Sequence, residues 1–345
     1  MSVVIVVGGQ YGSESKGKCA VRLAQRYGCD LAVRTGGCNA GHTTFPNEHK
    51  FVTRTLPAPL AVPGVKLALG AGGMVDINLL EREFDQLESF GITDIRDRLW
   101  IDPFTSIVED DASEREIQRE LGKNIGSTQT GVGWTQSQRV LRVSRSAKDS
   151  GILKPFIHDV TKEINDIHDR GGTVIIEGTQ GFGLSMIHGG CFPSSTSRDT
   201  SASGFASEAG VSPRIVDQIW MVIRTFPIRV GGNSGPMHEE TTWDKIKEYC
   251  GCPNDLTEMT SVTKKVRRVG LFDWDLLARA VMVNRPTRIV VACLDYLNWK
   301  NRDVTEYDKL DSRSKTLISE IEDRTGVKVG QVFTGPKQSS LIDLD

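Results

Sequence analysis

The chain has 345 residues, 38% of them hydrophobic, and its 42 lysines and arginines nearly cancel 44 aspartates and glutamates to leave a net charge of −2. That length holds one or two domains with an ordinary core, and the balance excludes a disordered or collagen-like chain. It also excludes the broad basic field needed to grip duplex nucleic acid, while small anionic ligands remain open.

No apolar run approaches the length of a membrane span. The opening residues MSVVIVVGG lack the basic n-region of a signal peptide. Seven cysteines, an odd number without paired CxxC spacing, fit a reduced cytoplasmic protein better than a disulfide or zinc scaffold. Cys250-Gly251-Cys252 reads as a turn, with a metal clip as the alternative.

In chain order, β-branched runs predict strands over Val3–Val7, Leu31–Arg34, Leu67–Leu69, Leu99–Ile101, Thr173–Ile176, Ile219–Thr225, Arg288–Ala292 and Lys328–Phe333. Amphipathic stretches between them predict helices over Lys16–Tyr27, Asp76–Phe90, Ala112–Leu121, Ile152–Arg170, Phe272–Asn284 and Ser312–Arg324. Asp76 and Asp273 fit N-caps; Gly91 and Gly326 fit helix stops. The alternation predicts an α/β fold with a mostly parallel central sheet, a P-loop-like nucleotide site and inserted lobes, as one domain over residues 1–345. Glycines cluster after several strands, where open α/β sheets bind ligands.

The first cluster follows the first strand: Gly8-Gly9-Gln10-Tyr11-Gly12-Ser13-Glu14-Ser15-Lys16-Gly17-Lys18-Cys19. A strand, a glycine loop and a helix together make a phosphate cradle, because amide N–H groups and the positive helix end converge on an anion. The spacing Gly12-x-x-x-x-Gly17-Lys18 fits a P-loop, but Cys19 stands where a hydroxyl would hold Mg²⁺. A tight turn with a solvated lysine is the plainer alternative. The second loop, Arg34-Thr35-Gly36-Gly37-Cys38-Asn39-Ala40-Gly41-His42-Thr43, sets Asn39 and His42 among glycines that let backbone approach a ligand. On chemistry alone His42 is as open to a structural role as to a catalytic one.

These two loops resemble the N-terminal signatures of the adenylosuccinate synthetase family. The segments IGSTQTGVG (125–133), EGTQG (177–181), HGGCFPSSTS (188–197), RVGGNSGP (229–236), VTKKVRRVGLFD (262–273), VACLD (291–295) and FTGP (333–336) follow in the family's order. The resemblance implies a ligase that moves a γ-phosphoryl group to a purine 6-oxygen and then displaces it with aspartate. It implies Mg²⁺, held in part by the Gly41 carbonyl and at the position of Ser13. It makes His42 an electrophile at the 6-oxygen, with Lys16 neutralising the same charge.

Nucleoside triphosphate contacts carry over to Gly12, Ser13, Glu14, Ser15, Lys16, Gly17, Lys18, Gly41, His42, Thr43, Cys293, Leu294, Asp295, Gly335 and Pro336. Purine nucleotide contacts carry over to Ser13, Asn39, Ala40, Thr128, Gln129, Arg142, Gln180, Thr196, Val230 and Gly231. Aspartate contacts carry over to Thr263, Lys265 and Arg267, the last suited to bidentate carboxylate binding. Arg142 matches an arginine that the family supplies across a homodimer interface.

Two departures stand out. Ser13 occupies the position of the family's general-base aspartate, and a serine is a poor base near neutral pH. A smaller side chain there leaves room for guanine's 2-amino group. The same serine marks a bacteriophage branch of the family, which implies dGMP, aspartate and ATP or dATP as substrates, a 2-aminoadenine precursor as product, and the cytoplasm of an infected cell. In that reading Ser13 takes the N1 proton with help from Glu14 or metal-bound water. Second, the family's Lys-x-Asp base motif reads Cys293-Leu294-Asp295, which points to ATP while Asp295 keeps GTP open. The expectation is therefore a dGMP ligase; the alternatives are the ordinary reaction of IMP, aspartate and GTP, and a P-loop ATPase without ligase activity.

Overall fold

The computed structural model describes residues 2–260 and 265–345. Nine strands form the central sheet: β1 (Ser2–Gly8), β2 (Leu31–Arg34), β3 (Lys66–Leu69), β4 (Leu99–Ile101), β5 (Thr173–Glu177), β6 (Val216–Arg224), β7 (Arg288–Ala292), β8 (Val329–Phe333) and β9 (Leu341–Asp343). Their order across the sheet is β9-β8-β7-β6-β1-β5-β2-β3-β4. Every pair is parallel except β8 with β9. The chain builds outward from β1 in opposite directions, so the crevice for a ligand lies at its carboxyl end.

All eight predicted strands form. The near-continuous Val/Ile runs of β1, β5 and β7 reflect burial on both faces, as central parallel strands require. Val3, Ile5 and Val7 of β1 pack with Ile164, Phe205 and Ala209 on one side. Val4 and Val6 pack with Leu23, Leu56 and Leu60 on the other.

Helix α1 (Lys16–Tyr27) presents Cys19, Ala20, Leu23 and Ala24 to that second core and stops at Gly28, whose φ of 60° favours glycine. Asp76 and Asp273 cap their helices as expected, accepting from the amides of Leu79 and Leu276, and Gly326 ends Ser312–Thr325. Cys250 and Cys252 are free thiols around Gly251, a helix stop at φ 72°.

Two helix expectations need correction. Ala112–Leu121 breaks after Gln118, because Glu120 adopts φ 53° before a separate turn at Leu121–Ile125. Of Ile152–Arg170 only Val160–Asp169 is α-helical: Pro155 confines the start to a single 3₁₀ turn, and Asp159 caps the true helix. Helices Val132–Leu141, Ala202–Ala209 and Trp243–Cys250 were not anticipated. The first two are diluted by glycine, serine and alanine, which blur helical periodicity. No helix among the described residues is long and apolar enough to cross a membrane.

Candidate active site

The register of the sheet assembles the site. Arg34 ends β2 directly beside Glu177 at the end of β5, and Val6 of β1 pairs with Glu177 on its other side. The loop leaving β1 turns through left-handed conformations at Gly12, Ser13 and Ser15 (φ 91°, 56° and 73°) before α1 begins. Two non-glycine residues at such angles mark a backbone held by its surroundings. The holding group is Glu14, fully buried. Its carboxylate accepts from the amides of Gln10 (3.0 Å) and Gly12 (2.8 Å) and pairs with Lys16 at 2.6 Å. Gly181 must be glycine for this: a Cβ there would lie 2.4 Å from the Glu14 carboxylate and 2.5 Å from the Gly12 nitrogen.

His42 opens a two-stranded hairpin, His42–Thr44 with Phe51–Thr53. Its Nδ1 makes a short contact with Glu177 Oε1, and Glu177 Oε2 accepts from the Ala58 amide at 2.7 Å. Arg34 Nη1 lies 3.1 Å from the same ring nitrogen. So close a carboxylate contact assigns the ring proton to Nδ1 and leaves Nε2 open. Burial, then Arg34, drives the imidazole pKa down to about 4 against the opposing pull of Glu177, so His42 is neutral near pH 7. Burial pushes the Glu177 carboxyl up, but His42, Arg34 and the Ala58 amide outweigh it and hold it below the usual range.

Two cavities meet here. One, of about 360 Å³, is walled by Tyr11, Asn39, Thr128, Gln180, Thr196 and Arg229 among others. The other, of about 670 Å³, runs along the β1–α1 loop toward Cys293, Asp295, Gly335 and Pro336. Ser13, Lys16, Gly41, His42 and Arg267 line both.

Around Ser13 the charges are arranged by arginines. Its hydroxyl accepts from Arg267 Nη1 in a short contact, and its carbonyl accepts from Arg224 Nη1 at 3.2 Å. Arg224, buried at the end of β6, forks onto Glu258, which also accepts from the Tyr296 hydroxyl at 3.0 Å. In the larger cavity Lys18 Nζ donates to the carbonyls of Gly335 (3.0 Å) and Ser340 (2.8 Å). Burial lowers its pKa to about 7, although Cys293, Asp295 and Asp303 oppose the shift. Asp295 is buried and paired with Arg302 at 2.5 Å.

Most of the residues singled out in the sequence converge on these walls. The smaller cavity takes in Gly12, Ser13, Asn39, Ala40, Thr128, Gln180, Thr196 and Val230. The larger takes in Ser13, Glu14, Ser15, Lys16, Gly17, Lys18, Gly41, His42, Thr43, Cys293, Asp295, Gly335 and Pro336. Others stand apart. Leu294 is buried in the core. The Gln129 side chain packs over Gly122, and Gly231 lies against the Val266 carbonyl. Arg142 is exposed at the end of Val132–Leu141, and Lys265 is exposed beside Thr260. Thr263 lies outside the described residues.

The partnership of Ser13 with Glu14 is corrected: that carboxylate is buried within the loop and spent on two amides and Lys16. Sequence reasoning passed over Arg34, Glu177, Arg224, Arg229 and Glu258. An arginine or glutamate closing an apolar strand, as at positions 34, 177 and 224, was the available signal.

A sheet with a phosphate-type loop at its switch point, and two cavities meeting at a histidine and a lysine, define a nucleotide-dependent group-transfer fold. The adenylosuccinate synthetase sequence profile matches residues 5–151 and 147–302. An adenylosuccinate synthetase of Pyrococcus horikoshii is 38% identical over 347 residues, 99% of this chain and 98% of that protein. That of Methanocaldococcus jannaschii is 38% identical over 346 residues, covering 100% and 97%. The chain belongs to the adenylosuccinate synthetase family, and so to its carbon–nitrogen ligases. Among solved structures, the fully ligated adenylosuccinate synthetase of Plasmodium falciparum superposes with a TM-score of 0.86 at 22% identity, covering all of both chains. A cyanophage S-2L succinoaminodeoxyadenylate synthetase bound to dGMP and dATP superposes with a TM-score of 0.79 at 25% identity, over 99% and 95% of the chains.

These relatives overturn the expectation of an ATP-dependent dGMP ligase. Proteins 38% identical across nearly the whole chain are adenylosuccinate synthetases, against 25% identity to the cyanophage enzyme.

Proposed function

We propose that the protein joins L-aspartate to C6 of IMP, with GTP as phosphoryl donor, giving adenylosuccinate, GDP and phosphate. The observation that carries this reading is the meeting of two nucleotide-sized cavities at Ser13, Lys16, Gly41, His42 and Arg267. A phosphoryl group must pass from one nucleotide to the other, and in-line transfer needs the two sites to share cationic and hydrogen-bonding groups. IMP would occupy the smaller cavity, its phosphate against Asn39, Thr128, Gln180 and Thr196. GTP would lie along the β1–α1 loop, with Asp295 toward the N1–H and 2-amino donors of its base.

Arg267 uses Nη1 on Ser13 and donates from Nε to the Met259 carbonyl at 3.1 Å. Its Nη2 is then the nitrogen available to an aspartate carboxylate. Lys16, whose charge is balanced by Glu14, faces the junction and would donate a hydrogen bond to the moving group. His42 enters neutral; the negative charge of phosphoryl and purine oxygen raises its affinity for a second proton on Nε2, which turns it into the donor that stabilises the 6-oxygen.

Mg²⁺ fits this donor set only as an ion carried by the phosphates. No group of three His, Cys, Asp or Glu able to hold a metal occurs among the described residues. Ser13 is taken by a guanidinium, which leaves the Gly41 carbonyl as this chain's donor. When bound, the ion supplies charge neutralisation at the transferring phosphoryl. A homodimer in the cytoplasm completes the reading: Arg142 is flanked by exposed Val140, Leu141 and Val143, an apolar strip suited to burial against a second copy.

The test is to incubate the purified chain with aspartate, Mg²⁺, GTP and either IMP or dGMP. Adenylosuccinate from IMP is expected. Succinylated product from dGMP alone, or GTP hydrolysis indifferent to IMP and aspartate, would overturn the assignment.

A further inference from the structure

The reaction needs a purine 6-oxygen that is nucleophilic, and hypoxanthine gains that character only when N1 loses its proton. A carboxylate against N1 is the direct solution, and among the described residues the smaller cavity offers no unengaged one. Among the described residues, the carboxylate lining the smaller cavity is Glu116. It is spent on the amides of Gly131 (3.1 Å), Gly133 (2.7 Å) and Trp134 (3.1 Å).

The groups facing Ser13 come from every surrounding element. Its own loop contributes Glu14 and Lys16, which neutralise each other at 2.6 Å. Strand β6 contributes Arg224, matched by both oxygens of Glu258, and Tyr296 donates to the same carboxylate. The hairpin contributes the neutral His42. That leaves Arg267, which shares Glu258 with Arg224 at 3.9 Å and sets its Nη1 on the Ser13 hydroxyl, as the excess positive charge beside Ser13 among the described residues.

A hydroxyl that accepts from a guanidinium must point its own proton elsewhere, and Ser13 is exposed to the cavity. We propose that Ser13 is a hydrogen-bond donor to an N1-deprotonated purine, polarised by Arg267, so that a cation behind a hydroxyl replaces the missing acid. The proton leaves before phosphoryl transfer: solvent hydroxide removes it from N1, giving water and a purine anion whose charge is shared between N1 and the 6-oxygen. Ser13 then donates to N1, and the oxygen attacks the γ-phosphorus as its bond to the leaving GDP breaks. Arg267 is the positioning residue. This inference rests on the IMP reading above.

The experiment is an ultraviolet titration of IMP bound to the full chain without triphosphate, since the purine absorbs differently once N1 is deprotonated. Bound IMP should deprotonate about 1 to 3 pH units lower than free IMP, the effect of an opposite charge a few ångströms away. Arg267→Gln should return it to the free value. Ser13→Ala, which removes only an exposed hydroxyl, should lose part of the shift. Ser13→Asp, which restores an acid, should move the rise of kcat/KM with pH to lower pH. Bound IMP that titrates like free IMP while adenylosuccinate still forms overturns the inference alone. Failure of IMP to bind or react overturns the IMP reading and the inference with it.

Discussion

Lys18 makes the sharpest prediction about the proposed triphosphate site. Its ammonium is buried against the Phe333 ring and two carbonyls, and burial leaves it with a pKa of about 7. At pH 8 about one-tenth of the molecules then carry the proton, by the titration linkage of a single group. A triphosphate placed along the loop brings several negative charges and restores the ordinary lysine pKa, so binding at pH 8 should take up roughly 0.9 proton. The same linkage weakens affinity at high pH: between pH 7 and 9 the apparent association constant should fall roughly 50-fold. Titration calorimetry of GTP in two buffers of different ionisation enthalpy reads the uptake directly. Lys18→Met should abolish it and flatten the pH dependence. Uptake near zero at pH 8 in the unaltered chain would refute the buried, half-neutral lysine.

Further outcomes follow from the same geometry. Glu177→Gln should lower kcat for adenylosuccinate formation by about 10²–10⁴, because His42 loses the partner that fixes its proton on Nδ1, with little change in KM for IMP. His42 binds a proton near pH 4 in the folded chain but near 6.5 when unfolded. Its contribution is therefore complete above pH 6.5 and lost as pH falls toward 4, by at most about 3 kcal/mol. Urea unfolding of wild type and His42→Gln across that window should converge at low pH. Gly181→Ala should destabilise the fold by about 1–3 kcal/mol, since its methyl group would collide with the Glu14 carboxylate and the Gly12 amide; thermal unfolding checks it.

The sheet was legible because its central strands β1, β5 and β7 are buried on both faces and so written as Val/Ile runs bounded by turn residues. The phosphate loop was legible because glycine, strand and helix signals coincide at residues 3–27. The small hairpins were not: three-residue strands such as His42–Thr44 owe their form to the walls they pack on rather than to a period of their own. The charged residues behind the site were missed for a related reason. Arg34, Glu177 and Arg224 sit at strand ends, where their roles depend on which strands become neighbours, and register emerges only in three dimensions. Ser13 shows the limit most plainly. The guanidinium from which its hydroxyl accepts belongs to a residue 254 positions away in the chain.

The internal carboxylate of the first loop has one more consequence. Because Glu14 already satisfies two amides that a free phosphate would otherwise claim, the loop carries its own anion and needs no guest to hold its shape. In the proposed reaction a nucleotide would meet a loop whose Gln10 and Gly12 amides are already taken. Its phosphates would then ride on the rim, near Lys16 and His42, where the two cavities meet.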